Sequence, residues 1–467
     1  MRTLKRFWWR HELPDPRSEL GKAIAAGAPT GCDSRPGWYF GGDRVKRRTL
    51  LLGGAGLLAA GAVIKRPKDM GQPYEPYFAA LNAELKTKGP MRPSLVIDLD
   101  RLDHNIDLVV ASVKQQPGRQ FRIVEKSLPS PKLLEYISKR ASTNRLMSFH
   151  QPFLSHDAAM FPMSDLLVGK PLPVRSAELF YKNLSGPFDP SRQLQWLIDT
   201  PERAQQYLDL AKGLGTRMRL NLELDVGLHR GGLSAGEALA ATLKLIAAHP
   251  AQLEFSGFMG YDPFVAMVPS VLGSHEELLA KVMARYQAAV DQARSDFAPL
   301  WNEGLTLNTA GSPTYKLHES ESLSNEIAVG TGLLKPSHYD LVTLAEHQPA
   351  VFIATPVLKA TGPVQIPALD AKSKIFSWWD VNQRETYFIY GGYWMADYES
   401  PKGLQFNEIF GHSSNQEIVT ASASAGLKVD DQVFFRPTQV EGVLLQFGDL
   451  MATRGGKIVD YWPVFSG

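Results

Sequence analysis

The chain has 467 residues, 44% of them apolar and 21% charged, a length that calls for more than one domain and a composition that excludes disordered and fibrous classes. Net charge is +2, but residues 1–48 hold eleven basic and five acidic side chains, so the rest of the chain is mildly acidic and offers no basic face for nucleic acid. A single cysteine, Cys32, excludes an internal disulfide framework and a cysteine-based zinc knuckle.

The first element is an apolar stretch over 50–64, shorter than the roughly 20 residues that cross a bilayer. Arg47-Arg48-Thr49-Leu50-Leu51 opens it, Ala60-Gly61-Ala62 offers a small-residue cleavage site, and Lys65 and Arg66 follow. Residues 1–66 therefore read as an N-terminal extension with a twin-arginine-like signal. The expected mature protein is periplasmic and begins near Val63; an uncleaved inner-membrane anchor and a cytoplasmic protein are the alternatives. Gly54-Ala55-Gly56-Leu57-Leu58-Ala59 fits a dinucleotide-binding pattern, but no strand precedes it and Pro67 ends any helix early.

From residue 90 strand-like runs alternate with amphipathic helical runs. The spacing predicts strands over 121–125, 146–149, 165–169, 194–199, 218–225, 255–261, 305–311 and 325–330. Helix starts are signalled by Ser130 before Pro131 and by capping boxes at Ser234…Glu237 and Ser274…Glu277. Eight strand–helix units predict an α/β fold, a (β/α)8 TIM-type barrel over 90–345, with a doubly wound sheet as the alternative. Short strands over 350–358, 386–391, 417–421, 432–436, 442–447 and 457–464 predict a β-rich C-terminal domain over 346–467, a sheet that Ser94–Asp98 could join.

In a barrel the chemistry gathers at the C-terminal strand ends. Those ends here carry Lys126, Arg230, Tyr261, the turn Gly311-Ser312-Pro313-Thr314 and the turn Gly330-Thr331-Gly332. Each has a plain structural reading: Lys126 as a surface ion pair with Glu125, Tyr261 as a rim aromatic, the glycines as loops. Together they make one lysine, one arginine and two turns of the kind that hold a phosphate on backbone N–H groups.

The segments 94–106 (SLVIDLDRLDHNI), 121–126 (FRIVEK), 223–232 (ELDVGLHRGG), 257–261, 311–315 (GSPTY), 325–340 and 437–464 resemble, in order, the fold-type III pyridoxal-phosphate enzymes of the alanine racemase-like group, in their D-threonine aldolase and D-serine dehydratase branch. The resemblance implies pyridoxal 5'-phosphate as cofactor, Lys126 as its Schiff-base lysine and Arg230 facing its ring. It also implies Tyr261 as an active-site tyrosine, Gly311, Ser312 and Thr314 as the first phosphate turn, and Gly330 and Thr331 as the second. A Schiff-base lysine is favoured by burial beside a cation.

Three departures from the family stand out. Leu128 replaces the histidine two residues after the lysine, and Pro313 removes one N–H from the phosphate loop. Gln439 and Glu441 stand where the branch has its metal-binding pair, with Glu417 near the place of a further histidine, so they are the weak candidates for a divalent metal. His229 and His412 have no assigned role.

The expected activity is that of a lyase on D-amino acids, β-hydroxy ones in particular, by retro-aldol cleavage or dehydration. A racemase or epimerase, with Tyr390, Tyr393 or Tyr398 of a partner as second base, is the alternative, and a non-catalytic pyridoxal-phosphate protein a second. The resemblance further implies a homodimer in which the partner's β-rich domain covers the barrel mouth.

Overall fold

The computed structural model describes residues 66–465, apart from 270, 272 and 367–369. The twin-arginine-like motif, Cys32 and the dinucleotide-like pattern lie outside the described residues.

Eight parallel strands close into a barrel in the order β2 (Gln120–Val124), β3 (Arg145–Ser148), β4 (Asp165–Val168), β5 (Leu194–Ile198), β6 (Met218–Leu224), β7 (Leu253–Gly260), β8 (Thr306–Thr309), β9 (Glu326–Val329) and back to β2. The expected (β/α)8 barrel is therefore the fold. Parallel strands are covered on both faces, so their sequences are short runs buried along nearly their whole length, as in LQWLI of β5.

The helices between them start where capping chemistry allows. Thr200 accepts from the Arg203 amide ahead of Pro201, and Gly215 closes the same helix in the left-handed region. Ser274 and Glu277 form the expected reciprocal capping box. Ser234 and Glu237 do not: Gly236, at φ +141°, is the cap of helix Glu237–Ala248, and Glu237 is already its first residue. Pro131 opens helix Pro131–Ala141 as expected, but the Ser130 hydroxyl makes no cap hydrogen bond.

The remaining strands form a second, mixed sheet. β1 (Ser94–Asp98) lies in it, antiparallel to β10 (Val351–Ala360) and parallel to β16 (Leu450–Arg454). From β10 the sheet continues through β11 (Glu385–Tyr390), β14 (Gln416–Ala421) and β13 (Gln405–Phe406); β17 (Lys457–Trp462) extends it past β16. β15 (Gln432–Pro437) pairs with β10 and with β12 (Ala396–Ser400). Helix Pro76–Lys88 covers one face through Phe78, Leu81 and Leu85, which pack on Val96, Phe352, Phe434 and Met451. β12, β13 and β16 were not expected, and the strand expected over 442–447 is a run of turns.

The inside of the barrel is layered. Arg122, fully buried, donates to Glu326 at 2.6 and 2.9 Å and to Asp165 at 2.8 Å, and Asn308 and Gln195 donate to two of the same oxygens, Glu326 Oε1 and Asp165 Oδ1. With both acids satisfied, this buried charge cluster is complete. Above it Met147, Leu167, Leu197, Met259 and Ala328 form an apolar plug. The candidate site rests on that plug.

Candidate active site

All eight barrel strands deliver residues to one cavity of about 800 Å³. Lys126 follows β2, His150 follows β3 and Lys170 follows β4. Asp199 follows β5, Glu223 lies in β6 with Arg230 beyond it, and Tyr261 follows β7. Gly311 and Ser312 come from β8, Gly330 and Thr331 from β9. Val124, Met147, Met259 and Ala328 make its floor. The size suits a small organic cofactor with a substrate beside it.

Lys126 sits in a single 3-10 turn, Glu125–Ser127. Its Nζ lies 3.3 Å from Glu441 Oε1 and 5.1 Å from the Phe149 ring centre. The expectation of a cation beside this lysine is not met; its ionic partner is a carboxylate. Glu441 comes from the turns between β15 and β16, and its Oε1 also lies 2.8 Å from Ser127 Oγ and 3.1 Å from Thr331 Oγ1, two hydroxyls that hydrogen-bond each other. Burial alone would raise the Glu441 carboxyl, but the Lys126 charge and the hydrogen bonds outweigh it and hold the group below the usual carboxylate range.

Glu125 is not the surface partner of Lys126. It points into the protein, where Ser148 Oγ donates to its Oε2 at 2.9 Å and Oε1 has no partner. Asp157, equally buried, has no hydrogen bond on either oxygen, because the one Ser148 proton goes to Glu125. Burial, and for Glu125 also the neighbouring Asp157, pushes both carboxyls up, Asp157 to about 8. Asp157 is thus mostly a neutral acid at neutral pH.

On the opposite wall Arg230 Cζ lies 5.3 Å from the Tyr261 ring centre and faces Glu223. Burial raises the phenols of Tyr261 and Tyr339, so both remain proton donors. Gly311 has no room for a side chain: a Cβ there would stand 2.4 Å from Tyr261 Cε2. Gly330 is equally constrained, since its Cβ would meet the Val124 carbonyl oxygen at 2.5 Å. The amides of Gly330 (3.4 Å) and Gly332 (2.9 Å) converge on one oxygen, Ser312 Oγ.

Seven of the eight residues expected around a cofactor thus share this cavity: Lys126, Arg230, Tyr261, Gly311, Ser312, Gly330 and Thr331. Thr314 does not. It is fully buried, accepts from the Gly311 amide, and donates to Asp262 Oδ1 at 2.7 Å. Asp262 in turn holds His318 Nε2 at 2.7 Å, and Arg119 closes the network through Glu321.

The metal candidates are not brought together. Gln439 is exposed and off the cavity wall, while Glu441 is engaged with Lys126 and two hydroxyls. Glu417 lies in β14, where it holds the Tyr393 amide and His412. Among the described residues no cluster of three or more His, Cys, Asp or Glu side chains is arranged to bind a metal ion. Tyr390 and Tyr393 are exposed on the second sheet and Tyr398 packs on Phe435; none lines this chain's cavity. His229 is paired with Asp225.

His150, Lys170, Asp199, Arg203, Glu223 and Tyr339 were missed. The first three directly follow strands that the sequence did reveal, so their position was a usable signal. His150 puts an imidazole on the cavity wall although Leu128, in the family's histidine place, is buried. Burial and then the Lys170 charge lower its pKa, so it is neutral at neutral pH.

The model of the alanine racemase N-terminal domain matches residues 97–337, more than half of the chain. The chain belongs to that family. A 3-hydroxy-D-aspartate aldolase from Paracoccus denitrificans is 23% identical over 278 residues, 57% of this chain and 65% of the relative, so the chain matches just under two thirds of that protein's length. Alanine racemase-like architecture extends beyond the matched domain. The D-threonine aldolase of Filomicrobium marinum superposes with a TM-score of 0.61 at 15% identity, covering 80% of this chain and 95% of that one. The D-threo-3-hydroxyaspartate dehydratase of Delftia sp. HT23 gives 0.60 at 15%, covering 80% and 97%. The alanine racemase of Bacillus anthracis gives 0.59 at 13% identity with the same coverage. The expected membership of the alanine racemase-like group holds.

Proposed function

We propose that the protein is a pyridoxal-phosphate-dependent lyase acting on β-hydroxy D-amino acids. The observation that carries this is the convergence of Lys126, the Arg230–Tyr261 pair and the two glycine–hydroxyl turns on a single cavity at the strand ends. The donor set fits the cofactor. Lys126 offers an amine and Arg230 a cation on the cavity wall, and Ser312 Oγ, which accepts from the Gly330 and Gly332 amides, keeps its own proton to donate to a phosphate. When bound, pyridoxal phosphate supplies an electron sink for charge released at an α-carbon.

The chain's own residues then divide the remaining work. Lys126 anchors and can exchange protons at its Nζ. Tyr261 and Arg230 form one wall, which orients what lies against it. The plug of Met147, Met259 and Ala328 excludes water from below. The Paracoccus relative, by name an aldolase on a β-hydroxy D-amino acid, supports a lyase over a racemase. The decisive assay incubates the cofactor-loaded protein with D- and L-amino acids and measures aldehyde, keto acid and change of enantiomer separately; an aldehyde or keto acid from a D-β-hydroxy acid is expected.

Two further readings are part of this proposal. The mouth is open enough to leave the Lys126 side chain 44% exposed, which suits covering by a second copy, so the active form is a homodimer. The Arg47-Arg48 motif supports export to the periplasm. Light scattering and cell fractionation read these directly.

A further inference from the structure

Glu441 is an unusual occupant of a barrel mouth, because no barrel strand puts it there. It reaches in from the second sheet's side and meets Ser127 Oγ, Thr331 Oγ1 and Lys126 Nζ at 2.8, 3.1 and 3.3 Å, all three on Oε1. Ser127 and Thr331 are buried with their hydroxyl oxygens 2.6 Å apart; each has one proton, so one donates to the other and the second donates to Oε1. Among the described residues no side chain donates to Oε2, and Glu441 lines the cavity. A carboxylate held through one oxygen by a hydroxyl and an ammonium stays ionised and presents the other oxygen as an acceptor.

The distance matters as well. In a β-hydroxy amino acid the hydroxyl oxygen is three bonds from the amino nitrogen, roughly 3 Å away. A carboxylate whose Oε1 lies 3.3 Å from the lysine nitrogen therefore stands within hydrogen-bond reach of the hydroxyl of a substrate whose amino nitrogen takes that nitrogen's place.

We propose that Glu441 is the base that removes the β-hydroxyl proton, and that the reaction is carbon–carbon cleavage. This inference rests on the lyase reading and narrows it. The β O–H bond breaks and its proton passes to Oε2, and the oxygen's electron pair forms the C=O bond. The Cα–Cβ bond breaks with its pair left on the α-carbon, which is protonated afterwards. The products are an aldehyde and glycine, with every atom of the substrate accounted for. Dehydration would ask for a proton delivered to the leaving hydroxyl, and a carboxylate ringed by donors has none to give.

The test compares wild type, Glu441→Gln and Glu441→Asp, each loaded with pyridoxal phosphate and each checked for unchanged melting. The probes are D-threonine, D-3-hydroxyaspartate and glycine. Wild type is expected to release aldehyde and glycine, and Glu441→Gln to lose at least 100-fold in that rate, in line with removal of a general base. Glu441→Asp should recover part of it. Exchange of the glycine α-hydrogen in D2O, which involves no hydroxyl, should fall by less than tenfold in Glu441→Gln. Calorimetric binding should show wild type preferring D-threonine to D-2-aminobutyrate, and Glu441→Gln losing that preference. Equal losses in cleavage and exchange would overturn the assignment. Keto acid and ammonia from wild type would overturn it too, while leaving the lyase reading in place. A wild type that turns over no β-hydroxy acid would overturn that reading itself and this inference with it.

Discussion

His318 Nε2 lies 2.7 Å from Asp262 Oδ2, and both side chains are closed off from solvent directly behind Tyr261. The pair also fixes Thr314, which donates to the other Asp262 oxygen, and through it the turn that ends β8. A protonated imidazole between Asp262 and Glu321 is what makes this buried arrangement electrically complete.

Burial alone would lower the His318 pKa, but the Asp262 charge and hydrogen bond, helped by Glu321, raise it to about 9. The unfolded value is about 6.5, so the stabilisation is full below that pH and is lost as pH rises through 9. The melting temperature of wild type should fall between pH 6.5 and 9 by more than that of His318→Gln, which lacks the titrating group. Parallel pH profiles of melting would refute the linkage.

Asp157 behaves in the opposite chemical sense. Its carboxyl, raised to about 8 by burial, binds a proton in the folded state over a range in which the unfolded chain has lost it. Stability from this group is therefore greatest below about pH 4 and declines as pH rises through 8. Asp157→Asn keeps the shape and removes the charge, so it should melt higher than wild type at pH 8.5 and the gap should narrow toward pH 5. A variant that melts lower than wild type at pH 8.5 would show that the Asp157 charge is compensated.

The glycine turns make a steric prediction. Gly311→Ala would drive a methyl to 2.4 Å from the Tyr261 ring, so the ring or the turn must move. The expected result is a destabilisation of about 1–3 kcal/mol together with weaker retention of pyridoxal phosphate on dialysis. Gly213→Ala is the control: it lies in helix Pro201–Leu214 with nothing within 4 Å of the added methyl, and it should stabilise by roughly 0.5–1 kcal/mol. Unaltered cofactor retention in Gly311→Ala would separate this turn from the cofactor.

The barrel was legible because most of its parallel strands are short, largely buried runs rich in apolar residues at regular spacing; β8, Thr306-Leu307-Asn308-Thr309, was readable from its place in that spacing. The second sheet was less so. β13 is two residues long and β12 has one buried residue, Ser400, so neither carries a pattern. The run over 442–447 is apolar, yet Val443 and Leu444 bury themselves from helix-like turns on the Val440 carbonyl, a geometry that composition does not distinguish from a strand. Strand-end position located Lys126, Arg230, Tyr261 and the glycine turns. It misassigned Thr314, whose hydroxyl is claimed by Asp262, 52 residues away in sequence. The Lys126–Glu441 pair was out of reach for the same reason: one residue follows a barrel strand, the other lies in turns between β15 and β16, and only the folded chain brings them to 3.3 Å.

The most direct test of the account is chemical fixation of the cofactor. The protein is reconstituted with pyridoxal phosphate, reduced with borohydride and digested, and the modified peptide is identified by mass spectrometry. The account predicts a single adduct on Lys126, absent from Lys126→Ala. An adduct that persists in Lys126→Ala, carried by Lys170 on the same cavity wall or by any other lysine, would contradict it.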